Sequence, residues 1–260
     1  MSGRGWRNAG RLWLGLVLLF LYLPIAVMAA MSLNASPFYQ LPFELSWRWY
    51  EDLAGNRQLQ RAAWTSIWIA LATAAIATAL GTAAAVALHR GPRGRRVLEA
   101  LLFPPIAVPW LITGTAMLVF FFLVGIGRGN GAVLVGHVAL AIPYVVLVVS
   151  ARLRALDPAL EEAARSLGAS RWTAFRSVTL PFLAPGVIAC ALFAFAVSFD
   201  QFVISYFLQA PGQTTLPVEI YAAIRKGFTP EINAVSTLVI GVSMALLLLV
   251  ARLVRFGDLR

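Results

Sequence analysis

The chain reads as an all-α polytopic membrane protein with six transmembrane helices, and three observations lead there. Of its 260 residues, 60% are hydrophobic and only 12% are charged. Mean hydropathy is +0.79, whereas a water-soluble domain of this size carries about twice that share of charge. Six stretches are long and apolar enough to cross a hydrocarbon core of about 30 Å. Arginine also crowds into alternate connecting segments, the asymmetry that sets orientation in a bilayer.

The six stretches are Leu12–Met31, Trp64–Leu88, Leu98–Val124, Ala132–Ser150, Phe182–Phe202 and Val235–Leu253. Lipid leaves no backbone group a partner outside the segment, and the runs lack the alternation of a membrane barrel, so helices are expected. The first follows Arg4, Arg7 and Arg11, as a secretory signal would. Its apolar run is longer than a signal core and no small-x-small cleavage site follows, so it is read as a retained anchor. The third carries Pro104 and Pro105, which predict a kinked or late-starting helix.

With the N-terminus in the cytoplasm, the inner segments hold Arg4, Arg7, Arg11, Arg90, Arg93, Arg95, Arg96, Arg152, Arg154, Arg165, Arg171, Arg176, Arg252, Arg255 and Arg260, fifteen in all. Six basic residues, Arg48, Arg57, Arg61, Arg128, Arg225 and Lys226, fall outside. Both termini are therefore expected in the cytoplasm. The net charge of +10 belongs to this asymmetry and not to nucleic-acid binding. Cys190 stands alone, so no disulfide or cysteine metal site is expected; His89 and His137 are too few and too isolated to form a site by themselves. No cofactor is expected.

The outer loop from Ser32 to Ala63 mixes Phe38, Tyr39, Phe43, Trp47, Trp49 and Tyr50 with charge. Such rings suit headgroup depth, and a substrate platform is the alternative. The run Gly125 to Gly131 lacks the Lys-Ser/Thr step and preceding strand of a nucleotide loop, so it reads as a flexible turn. Small polar residues Thr65, Ser66, Thr73, Thr78 and Thr82 in the second span suit either a translocation path or close helix packing.

The segment from Ala151 to Pro181 is the most specific. Asp157-Pro158 has the form of a helix start, Ala159 to Leu167 favours helix, and Gly168 can close it. Ser170 is a cap for a second short helix through Phe175, which Leu180-Pro181 then ends. Leu160, Ala163, Ala164 and Leu167 share one face, flanked by Glu161, Glu162 and Arg165. A helix roughly 15 Å long is too short to span a membrane and marginal alone in water. Its apolar face either rests on the membrane and its own helix ends or docks in a cytoplasmic partner.

The order Glu162-Ala163-Ala164, three residues, Gly168, nine residues, Val178-Thr179-Leu180-Pro181 resembles the signature cytoplasmic loop of the membrane subunits of binding-protein-dependent ABC importers. The family form has isoleucine where Val178 stands. The resemblance implies a MetI-like permease fold with a coupling helix between helices 4 and 5. It assigns Leu160, Glu161, Glu162, Ala163, Ala164, Gly168, Leu180 and Pro181 to contact with an ATPase. The implied partners are a cytoplasmic ABC ATPase dimer, a second permease subunit, a periplasmic binding protein and the lipid bilayer of a bacterial inner membrane. No catalytic residue is expected.

Ser198-Phe199-Asp200-Gln201-Phe202-Val203-Ile204 and Pro211 to Val218 look like the corresponding region of the second permease of spermidine/putrescine importers. By that resemblance the permease pair is a heterodimer, and Ser198, Asp200 and Gln201 are candidates for the substrate path or gate. Polyamine permeases commonly carry a second Asp where Gln201 stands, which keeps ferric iron, thiamine, phosphonate and amino-acid-like solutes as alternatives. An ion-coupled secondary transporter would want buried ionisable residues, and no midplane charge is evident. The expected organisation is residues 1–59 as an anchor with its external loop, 60–254 as the permease core and 255–260 as a tail.

Overall fold

The computed structural model describes residues 3–36, 42–91, 94–226 and 231–257, with side chains described for 6–36, 42–91, 94–226 and 231–245. Its helices are α1 (Gly3–Met31), α2 (Arg48–Gly55), α3 (Arg57–His89), α4 (Arg95–Leu102), α5 (Pro104–Ala107), α6 (Trp110–Leu123) and α7 (Asn130–Ala155). They continue as α8 (Pro158–Ser166), α9 (Arg171–Ala174), a π turn (Phe175–Thr179), α10 (Leu180–Phe199), α11 (Val203–Leu208), α12 (Leu216–Lys226) and α13 (Glu231–Gly257). Among the described residues the only β pairing is an isolated bridge between Asn34 and Leu45. Trp6–Met31, Arg57–His89, Asn130–Ala155 and Arg171–Phe199 are each long and apolar enough to cross a membrane.

Two of the expected spans need correction. Leu98–Val124 is not one helix: Arg95–Ala107 and Trp110–Leu123 meet at a bend of 116°. The break falls at Val108-Pro109, beyond the Pro104-Pro105 pair. Val108 is extended (φ −81°, ψ 130°), as the ring of a following proline requires. Pro104 and Pro105 instead start α5, where a missing N–H does no harm.

The fifth span begins earlier than Phe182 and ends at Phe199, short of Phe202. Leu180-Pro181 does not end the preceding helix. The chain winds from Arg171 through the π turn into α10 without interruption. In a regular α-helix the Pro181 ring would clash with the carbonyl of Ser177; the wider π turn, just before Pro181, relieves that clash.

The chain forms two compact units, Met1–Leu59 with Ile220–Ala251 and Gln60–Glu219 with Arg252–Arg260. In the first, no residue of the apolar α1 window is buried, and Asn56 Nδ2 donates to Glu231 Oε1 at 2.8 Å. The aromatic loop is less superficial than expected. Trp49 is buried with Nε1 donating to the Asn34 carbonyl at 2.7 Å, and Tyr50 bonds Ser32 at 2.7 Å. Phe43 and Trp47 are exposed; Phe38 and Tyr39 lie outside the described residues.

In the second unit α3, α7 and α10 pack together. One cluster joins Ala85 and Leu88 to Val145, Val146, Val149, Leu153, Leu183 and Cys190. The approach of α3 to α7 depends on Gly81, where a Cβ would sit 2.6 Å from Val145 Cβ. α11 is wedged against α7 in the same way: a Cβ on Gly136 would lie 2.8 Å from both Ile204 and Leu208. Small residues at these crossings let backbones approach in a setting where packing, not water, drives helix association.

Candidate functional site: a surface loop and a buried corner

The loop from α8 to α10 is built by local signals. Asp157 Oδ1 accepts from the Ala159 amide at 2.9 Å, with Pro158 in the first turn. Leu167 is the C-cap and Gly168 follows at φ +92°, a left-handed turn favouring glycine. Ser170 Oγ accepts from the Thr173 amide at 3.1 Å and opens α9.

No residue of α8 is buried. Leu160 is 51% exposed and Leu167 is 90% exposed, so the apolar side of the helix lies uncovered. Glu162 and Ala163 are exposed, while Ala164 is half-buried. Glu161 differs from its neighbour: its Oε1 accepts from Thr179 Oγ1, a hydroxyl on a residue only 3% exposed. Leu180 and Pro181 are exposed at the start of α10. The eight loop residues singled out in the sequence are thus spread over one surface feature, with Glu161 turned inward.

The second candidate group lies at the corner from α10 to α11. Asp200 is the exposed C-cap of α10. Gln201 is 2% exposed, and its Oε1 accepts from the Val203 amide at 3.2 Å at the start of α11. Gln201 therefore supports the corner, while Asp200 faces out. Ser198 is also buried, and its hydroxyl lies 2.8 Å from Nδ1 of His137.

His137 was expected to be isolated; it is instead the centre of this corner. It is 2% exposed, and its Nε2 lies 3.0 Å from Ser205 Oγ. Ser205 Oγ donates to the Gln201 carbonyl at 2.8 Å, so it can only accept from His137. The proton is therefore on Nε2, and Nδ1 accepts from Ser198. One imidazole joins α7, α10 and α11. The available sequence signal was an ionisable ring within an apolar run, with Ser198, Gln201 and Ser205 at near-helical intervals.

The glycine turn also differs from a loose connector. Gly129 donates its amide to the Leu208 carbonyl at 2.7 Å, and Asn130 donates to Gln213 Oε1 at 2.9 Å. Along α3, Ser66 Oγ accepts from the Leu216 amide at 2.8 Å, so Ser66 packs rather than lines a path. Thr65 is half-buried. Thr78 and Thr82 face an apolar groove of about 690 Å³ shared with Phe175, Leu180, Val187 and Ala191. Their hydroxyls and that of Thr73 have no partner among the described residues.

The bent and unbroken apolar helices, with a polar helical loop between α7 and α10, define a polytopic membrane protein. The chain belongs to the family described as binding-protein-dependent transport system inner membrane component, which it matches over residues 77–257. It is 35% identical over 244 residues to the spermidine/putrescine transport system permease protein PotC of Haemophilus influenzae, covering 94% of each chain. It is 38% identical to the putrescine transport system permease protein PotI of Escherichia coli K12, covering 85% of this chain and 82% of that one. A bacterial ABC transporter involved in alginate import contains a chain of the same fold. The match has a TM-score of 0.74 at 17% identity and covers 97% of this chain and 98% of the other.

Proposed function

We propose that this permease carries polyamines such as spermidine and putrescine, and that α8 docks in a cytoplasmic ABC ATPase. The exposure of Leu160 and Leu167 carries the docking part: two large aliphatic residues, one on a nine-residue helix with no buried residue and one at its C-cap, need a receiving groove. The relatedness to PotC and PotI supports the substrate class. In this reading Glu162, Ala163, Ala164 and Gly168 shape the docked surface, and Leu180 and Pro181 pass movement into α10.

The topology consistent with this assignment has six spans, counting the bent pair as one and α13 as the last. Both termini are cytoplasmic, residues 60–254 form the permease core, and a different permease chain is the membrane partner. A periplasmic binding protein delivers substrate. Asp200 meets the cation at the outer end of α10, and Gln201 and Ser198 hold that corner from behind. Thr78 and Thr82 lie beside the apolar groove, their hydroxyls buried within the helix packing.

The test is uptake by the reconstituted complex of permease pair, ATPase and binding protein. Labelled spermidine should accumulate with ATP, and excess putrescine should compete. Competition by thiamine, ferric iron, a phosphonate or an amino acid, with none by polyamines, would reassign the substrate within the same importer class. Failure of the ATPase to co-purify would remove the docking role of α8.

A further inference from the structure

Two adjacent glutamates open the loop motif, and they have different surroundings. Glu162 is exposed, whereas Glu161 accepts from Thr179. Among the described residues this is the side-chain hydrogen bond that ties α8 to another element; the bonds of Asp157 and Ser166 stay within the helix or its cap. Thr179 is the last residue of the π turn, and Leu180, which follows, starts α10. Glu161 and Thr179 also line a small cavity of about 70 Å³ with His89 and Arg90 of the α3 end, Leu153 and Leu156. The guanidinium of Arg90 lies 5.9 Å from the Phe175 ring at the head of the same turn.

We propose that Glu161 is a positioning residue that latches α8 to the π turn through Thr179, so that a push on α8 reaches the foot of α10. This rests on the docking role of α8 proposed above and reassigns Glu161 from the motor surface to the interior of the permease. A helix with no buried residue has little apolar packing to transmit displacement. Without the latch, movement of α8 would be absorbed at Gly168 and the loop that follows it. The π turn is a suitable receiver, because a wide turn inside a long helix is a local alternative to α geometry and can change width while the flanking helices stay intact. A charge-assisted bond to a nearly buried hydroxyl supplies the directional link.

The experiment uses the full complex in nanodiscs. Spin labels on Ile188→Cys in α10 and Leu111→Cys in α6, in a Cys190→Ser background, report α10 movement; a label on Arg165→Cys paired with Leu111→Cys reports α8. Trapping the ATPase with nucleotide should shift both distances in the parent protein. In Glu161→Ala and Thr179→Val the α8 shift should persist while the α10 shift falls by at least half. ATP hydrolysed per polyamine moved should rise about tenfold, the effect expected for one charge-assisted hydrogen bond. The double variant should be no worse than either single one, and Thr179→Ser should restore coupling.

An unchanged α10 shift in Thr179→Val would overturn the latch. So would loss of the ATPase from Glu161→Ala but not from Thr179→Val, since Glu161 would then grip the motor. A parent complex that shows no nucleotide-dependent shift would overturn the docking role, and the latch with it.

Discussion

His137 Nε2 lies 3.0 Å from Ser205 Oγ while Nδ1 lies 2.8 Å from Ser198 Oγ. The ring thereby fastens the short helix α11 to α7 and to the end of α10. Replacing His137 with Ala removes both bonds and leaves a cavity among residues that are themselves buried. The expected loss is about 2–4 kcal/mol of stability. Thermal unfolding followed in detergent should show a clearly lower midpoint, and Ser205→Ala a smaller decrease. An unchanged midpoint for His137→Ala would mean that the corner is held by packing alone.

Gly81 should tolerate no side chain at all. A Cβ there would lie 2.6 Å from Val145 Cβ and 3.3 Å from the Ile142 carbonyl, so α3 and α7 would have to separate. Gly81→Ala should destabilise by about 1–3 kcal/mol and Gly81→Val by more. Gly55, at the end of α2, has nothing within 4 Å of its would-be Cβ, and Gly55→Ala should be close to neutral. Yield of folded protein on size-exclusion chromatography separates the two cases.

The long apolar runs and the loop caps were legible because they depend on local chemistry. Hydrophobic length marked α1, α3 and α7, and Asp157, Gly168 and Ser170 marked the ends of the loop helices. The break at Val108-Pro109 was harder to find, because Pro104 and Pro105 offered a competing site for the bend. The fifth helix was misread at Pro181, since a π turn that accommodates proline has no composition of its own. His137 was overlooked for a different reason. Its partners Ser198 and Ser205 are 61 and 68 residues away, and only tertiary packing brings them to one ring.

Gly168 has φ +92° with open space around its would-be Cβ, so a substitution there acts through backbone strain and not collision. Gly168→Val should cost about 1–2 kcal/mol at that turn and tilt α8 away from its docked orientation. Polyamine uptake should be lost while membrane insertion stays normal. Gly168→Asn, which enters the left-handed region more easily, should retain part of the uptake. Equal uptake by Gly168→Val and the parent protein would show that the turn has no part in coupling.

Asp200 is set against the local electrostatics of its own helix. It caps the C-terminus of α10, where the macrodipole is negative and a carboxylate is disfavoured. Asp200 is exposed and takes part in no ion pair among the described residues, so local structure gives no reason for its charge. The cation contact proposed for it supplies one. Asp200→Asn should raise the KM for spermidine by roughly 3–10-fold, the scale of about 1 kcal/mol for one solvated charge contact, and leave assembly intact. Putrescine, with fewer ammonium groups to share the contact, should lose at least as much. Gln201→Ala should instead lower thermal stability, because Gln201 is buried and bonded to the start of α11. Transport assays at two ionic strengths distinguish the roles: the Asp200 effect should shrink as salt screens the contact, and the Gln201 effect should not. A KM unchanged in Asp200→Asn at low salt would exclude the carboxylate from the cation path.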